Sequence, residues 1–249
     1  MCPTIHITLA SYTVMACIGL LAAALFVYFQ LDKCELEFTY FLKMLAVCVI
    51  CGVAGSRILF FLSTVPDMLA DFSLQKVVSN IFGGGFVFYG GLFGVLYAIR
   101  WFSRRKALDV QKIYNAVTPA IPLFHAFGRI GCLMAGCCYG KLLEPPVTVF
   151  GIFTMYRVPT QVIEAVFEGI LFVIIFVLQI RKIEKNWLKV YLVSYAVFRI
   201  IIEFFRGDAL RGIFFGISTS QIISIGILMF YIYKFVRDRK NTDKSVNTV

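Results

Sequence analysis

Long apolar runs separated by short polar ones dominate this sequence. Seven of them approach the roughly 20 apolar residues that a helix needs to cross a bilayer core: about 12–30, 40–62, 85–101, 113–133, 161–180, 187–205 and 217–236. The pattern predicts an all-α, polytopic membrane protein with seven transmembrane helices, spanning residues 1–236 as one domain, with 237–249 as a flexible tail. Pro119 and Pro122 interrupt the fourth run. A span tolerates prolines where neighbours take up the backbone groups they leave unpaired. The first run could pass for a secretory leader, but residues 1–11 hold no Lys or Arg, so it reads as a retained anchor.

Composition supports this picture. The chain is 60% hydrophobic and 15% charged, whereas a soluble domain is about a quarter charged. Its net charge of +10 is distributed by loop. Alternate loops and the tail hold Lys33, Arg104, Arg105, Lys106, Lys112, Arg181, Lys182, Lys185, Lys234, Arg237, Arg239, Lys240 and Lys244. The other set holds only Lys76, Lys141, Arg157, Arg206 and Arg211. The bias predicts an outside N-terminus and a cytoplasmic C-terminus. Basic residues beside spans face anionic lipid, so the charge requires no nucleic-acid partner.

Ionisable groups inside spans are costly and mark function by default. Lys43 lies at a cytoplasmic end and can snorkel. Arg57, His125, Arg129, Glu164, Glu168, Arg199 and Glu203, with Gln161, Ser218, Thr219 and Gln221, all fall in the outward halves of their runs once direction of travel is assigned. His125, Arg129 and Cys132 share one helix face, as do Gln161, Glu164 and Glu168, and Arg199 and Glu203 are spaced to pair. We expect a polar cavity open to the outer face, with arginines in excess of their obvious partners and available to a phospholipid phosphate. The glycines of FGGGFVFYGGLFG (Gly83, Gly84, Gly85, Gly90, Gly91 and Gly94) could bring backbone N–H groups to that phosphate or serve helix packing.

These motifs, in this order, resemble the bacterial prolipoprotein diacylglyceryl transferase family. The likeness runs from the second span to the tail and rests on GSRILFF, FGGGFVFYGGLFG, GRIGCLMAGCCYG, VPTQVIEA, FRIIIEFFRGD and STSQIIS. It implies transfer of the diacylglyceryl group of phosphatidylglycerol to a cysteine thiol in the lipobox of a prolipoprotein signal peptide, with glycerol phosphate leaving and no metal or cofactor required. It implies a multi-pass protein of the bacterial cell membrane with its active site toward the outer leaflet. Carried over by position, Arg129 would bind the lipid phosphate, Arg199 and Glu203 would shape the site, and Arg57 and the signature residues Gly128, Gly131 and Gly140 would bind substrate, as would Gly90, Gly91, Gln161 and Gln221.

The chain departs from the family pattern at Tyr89, where the family has histidine, at Cys132 and Cys137, where it has asparagine and glutamate, and at Lys141, commonly arginine. Tyr89, with a phenol's ordinary pKa near 10, is a poor base, and His125 could take that role. Cys132, Cys137 and Cys138 are expected at the lip of the same cavity, among the substrate-binding residues, where they could pack a helix end, form a disulfide on the outer face, act as an activated thiolate or bind a soft metal. Adjacent cysteines argue against the last, and we expect no metal. The alternatives to the lipoprotein-modifying reaction are a lipid transferase with another acceptor or a covalent cysteine step, and a non-enzymatic phospholipid-binding protein.

Overall fold

A computed structural model describes residues 4–70, 73, 85–149, 153–183, 185–208, 213–214 and 216–246. Gly83, Gly84, Lys76 and Arg211 lie outside the described residues. Among the described residues eight α-helices form: α1 (Thr4–Tyr28), α2 (Phe38–Ala70), α3 (Phe88–Arg105), α4 (Val110–Val117), α5 (Ala120–Met134), α6 (Thr160–Ile180), α7 (Trp187–Glu203) and α8 (Thr219–Val246). Each expected run contains one, except that the fourth divides into α4 and α5. Among the described residues five stretches are long and apolar enough to cross a membrane: Ser11–Tyr28, Phe38–Val65, Val110–Met134, Thr160–Ile180 and Thr219–Asn241. The other two runs fold as helices but fall short by that measure, since α3 carries Arg100, Arg104 and Arg105 and α7 has only 17 residues. Large apolar side chains such as Ile50, Val166, Ile170 and Phe230 point outward, as lipid-facing helices require.

The break between α4 and α5 follows from proline chemistry. Pro119 has no N–H to give the Asn115 carbonyl, and the Gln179 side chain of α6 donates to that carbonyl instead, at 2.8 Å. Asp109 caps α4 by accepting from the backbone N–H groups of Gln111 and Lys112. Around α4 the bundle is dry: Ile99 and Ile113 are fully buried with Phe102, Met44 and Leu31.

Two small hairpins modify the all-α expectation. β1 (Leu142–Val149) pairs antiparallel with β2 (Phe153–Arg157) in the register Val147 to Met155 and Thr148 to Thr154. The ladder is irregular between Leu142 and Val147, where Pro145 and Pro146 supply no N–H. β3 (Ile213–Phe214) pairs with β4 (Ile217–Ser218), just before α8.

Small residues let α2 and α3 cross closely. A Cβ on Gly90 would strike the Gly55 carbonyl and the Leu59 side chain, and one on Gly94 would strike the Cys51 carbonyl. Gly91 faces Gly52 and Ser56 across the same α2–α3 contact. Thus Gly90 and Gly91, expected to touch substrate, are occupied in helix packing of the small-residue kind.

Candidate functional site

The polar side chains of α5, α6 and α7 converge in the interior. From α6, Glu164 presents Oε2 to two guanidiniums at once, at 2.9 Å from Arg129 Nη2 and 2.9 Å from Arg199 Nη1. Arg199 Nη2 also lies 2.7 Å from Glu203 Oε2, one turn along α7, and donates to Ser220 Oγ of α8. Arg129, Arg199, Glu164, Glu168 and Glu203 are all less than a tenth exposed. Charges buried to this extent persist only when paired, and here each guanidinium is matched.

His125 completes the arrangement. Arg129 Nε–H donates to His125 Nε2 at 3.2 Å, so the imidazole carries its proton on Nδ1 and donates it to Glu168 Oε1 at 2.8 Å. The ring is further fixed by stacking on Phe88, with centroids 3.7 Å apart. Both nitrogens are therefore engaged in orienting Arg129. Tyr89 is engaged with α8: Ser224 gives its hydroxyl proton to the Ser220 carbonyl, so the Tyr89 hydroxyl donates to Ser224 Oγ at 2.6 Å. Three polar atoms of the cluster have no hydrogen-bond partner among the described residues: Glu164 Oε1, Glu168 Oε2 and the Arg199 Nε–H.

The expected surplus of arginines does not survive. Sequence spacing showed Arg199 beside Glu203 but could not show that Glu164, on another helix, serves both arginines. Arg57 has a different setting, half-buried with its guanidinium 4.4 Å above the Phe86 ring. Gln221 accepts from the Ser218 N–H while Ser218 Oγ accepts from the Gln221 N–H, a reciprocal cap on α8. Gly131 faces α1, where a Cβ would lie 3.1 Å from Met15 and 3.3 Å from Tyr12. Only Gly128 of the signature glycines borders open space. Gly140 has no room for a side chain against Val158 and Phe205, because the chain there is bonded on both sides, by Gly140 N–H to Val158 and Lys141 N–H to Phe205.

The three cysteines gather at the C-terminus of α5. Cys132 is buried, Cys138 half-buried and Cys137 exposed. Close approach of the Cys132 and Cys137 thiols holds the Cys138 thiol well below its usual range. Gln161, expected to border a cavity, donates its side-chain N–H to the Cys137 carbonyl at 2.7 Å, and the Thr160 hydroxyl donates to the Cys138 carbonyl at 2.8 Å. Sequence reasoning passed over Arg206, which is 5% exposed and holds Asp208 through two hydrogen bonds of 2.9 and 2.6 Å. The signal available was the carboxylate two residues after an arginine in FFRGD.

A buried arginine pair sharing one carboxylate, inside a bundle of long apolar helices, is the architecture of a multi-pass membrane protein with a charged interior. Comparison with known proteins narrows the class: residues 2–237 match the family described as prolipoprotein diacylglyceryl transferase, and the chain belongs to that family. It is 32% identical over 238 residues to the phosphatidylglycerol–prolipoprotein diacylglyceryl transferase of Clostridium tetani (strain Massachusetts / E88), covering 92% of each chain. To phosphatidylglycerol–prolipoprotein diacylglyceryl transferase 2 of Clostridium perfringens (strain 13 / Type A) it is 34% identical over 208 residues, 78% of each chain. The enzyme of Proteus mirabilis (strain HI4320) bearing the first of these names is 32% identical over 192 residues, covering 64% of this chain and 65% of its own.

Proposed function

We propose that this protein transfers the diacylglyceryl group of phosphatidylglycerol to the lipobox cysteine of a prolipoprotein signal peptide. In that reaction a thiol sulfur forms a bond to the glyceryl carbon, the carbon–oxygen bond to phosphate breaks, the thiol proton passes to a base, and glycerol phosphate leaves. The demand on the protein is mainly electrostatic, because charge grows on the departing phosphate. The observation that carries the reading is Glu164 bridging Arg129 and Arg199 in a chain of this family. Of the five N–H donors of a guanidinium, Arg129 uses one on Glu164 and one on His125, and the remainder, with the unpartnered Arg199 Nε–H, can grip the phosphate. Preorganised donors in a dry site stabilise such charge more than they would in water.

On this reading His125 and Glu168 orient Arg129, Glu203 orients Arg199, and Tyr89 ties α3 to α8 behind the site. Arg57 gives a second contact to the headgroup, and Gly128 keeps the space beside Arg129 open. The proposal includes seven spans, with α3 and α7 as the two shorter ones, an outside N-terminus and a cytoplasmic C-terminus, as the basic-residue bias supports. It places the protein in the bacterial cell membrane with the cluster toward the outer leaflet. Residues 1–236 form the transferase domain, and 237–249 its cytoplasmic end.

The test is complementation. Expressed in a bacterium depleted of its own transferase, the chain restores diacylglyceryl attachment to a reporter lipoprotein, and Arg129→Ala does not. Unmodified reporter in the presence of stable wild-type protein would reject the proposed acceptor.

A further inference from the structure

We propose that Cys132, Cys137 and Cys138 form a three-thiolate site for a soft d10 metal ion, with copper(I) the better fit and zinc(II) the alternative. The inference is independent of the transferase reading and starts from how α5 ends. Gly136 adopts a φ of +66°. Its N–H bonds to the Leu133 carbonyl at 3.2 Å, and the Cys137 N–H bonds to the Cys132 carbonyl at 3.1 Å. This is the paired closure of a Schellman turn, which folds the residue after the glycine back onto the helix position five earlier. Here that contact is thiol against thiol.

Cys138 would ordinarily point away from Cys137, as neighbours in an extended chain do. Instead it has a φ of +58°, a conformation that costs an L-residue about 1–2 kcal/mol. Two side chains of α6 hold the turn in place, Gln161 on the Cys137 carbonyl and Thr160 on the Cys138 carbonyl. The three Sγ atoms consequently lie within 4.8 Å of one another. With metal–thiolate bonds of about 2.3 Å, sulfurs around one ion sit about 4 Å apart, so side-chain rotation alone closes the site.

The ligand set points to the ion. No His, Asp or Glu joins the trio among the described residues, and His125 has both nitrogens engaged. Three thiolates with no fourth protein ligand suit trigonal copper(I), whereas zinc(II) would need a water. Arg129, one turn before Cys132 on α5, and Arg206, bridged to Gly140 just beyond Cys138, supply positive charge beside the thiolates. In an extended chain the adjacency of Cys137 and Cys138 would argue against a metal, and the positive φ of Gly136 and Cys138 removes that objection. Binding requires all three sulfurs as thiolates and releases the protons of those still held as thiols.

The experiment uses the reduced, metal-free full chain in lipid nanodiscs, loaded anaerobically with copper(I) or zinc(II) and washed. Metal per chain is counted, and the protein is alkylated with N-ethylmaleimide and cut with trypsin. The tryptic peptide Ile130–Lys141 contains all three cysteines and no other. One ion per chain is expected, with three alkyl groups on this peptide in metal-free protein and almost none after loading. Protection by either ion supports the site, and the stronger one identifies its occupant. Cys138→Ser should weaken binding on the order of 100-fold or more. Thr160→Val, which keeps every thiol, should weaken it about 10-fold, the range for a lost supporting hydrogen bond. Full alkylation regardless of metal, or a disulfide that survives reduction and leaves one reactive thiol, would overturn the proposal.

Discussion

The two ends of α5 lie in different media. Ala120, at its start, is packed with Ile99, Ile113 and Phe102 in a core of hydrocarbon. Further along the same helix, His125 and Arg129 meet Glu164 and Glu168, with Arg199 and Glu203 on the far side. Taking an ion out of water costs several kcal/mol even after relaxation, and replacing a buried ion pair with apolar side chains often leaves stability unchanged or improved. The first end shows that this chain can fill its interior with hydrocarbon. Five ionisable groups of α5, α6 and α7 at the other end, besides His125, are therefore poorly explained by stability and well explained by chemistry.

Substitutions can break or sharpen that contrast. The largest effect is expected from Arg129→Ala. It leaves Glu164 paired with Arg199 and Arg199 paired with Glu203, so the protein should remain folded while transfer falls on the order of 1000-fold, as for loss of a charge-stabilising donor. Normal transfer at unchanged protein level would show the cluster to be structural. Glu164→Gln is expected to act on both properties. It removes the shared anion from two arginines, costing about 3–5 kcal/mol, and should lower the thermal midpoint and transfer together. An intact midpoint would mean that the arginines have another anion.

His125→Asn should have a smaller consequence, about 10-fold, the scale of one lost hydrogen bond to a charged group, because it loosens Arg129 without removing it. Its pH–rate profile should keep the wild-type limbs, while a lost limb would make His125 the base. At the dry end, Ile113→Val should cost about 1 kcal/mol of stability and leave transfer per folded molecule unchanged. Impaired transfer there would show that the two ends are coupled.

The helices were legible in the sequence because a bilayer imposes length and hydropathy, and every expected run contains a helix in the structure, though only five described stretches are long and apolar enough to cross a membrane. Membership of the charged cluster was legible for the same reason, since an ion inside an apolar run stands out. Its wiring was not. Helical spacing reports neighbours on one helix, such as Arg199 and Glu203, but not that Glu164 reaches Arg129 and Arg199 across helix boundaries. The roles of small and capping residues were also hidden. Gly90 and Gly91 could be read as phosphate contacts or, more commonly for small residues in spans, as packing, and the close approach of Gly55 and Gly52 was not visible in the sequence. STSQ contains a capping box in plain view, yet Gln221 looked like one more polar group at the outer end of a span. The hairpin of Leu142–Val149 with Phe153–Arg157 escaped because two prolines masked its alternation.

The central claim is that paired arginines at the polar end of α5 act on a phospholipid headgroup so that a thiol can take its diacylglyceryl portion. It is tested most directly by reconstituting the purified protein in phosphatidylglycerol vesicles with a signal peptide containing one lipobox cysteine, and following the peptide by mass spectrometry. The wild-type protein should add a diacylglyceryl group through a thioether to that cysteine, and Arg129→Ala should not. An unmodified peptide in the presence of folded wild-type protein, or equal modification by the two proteins, would contradict it.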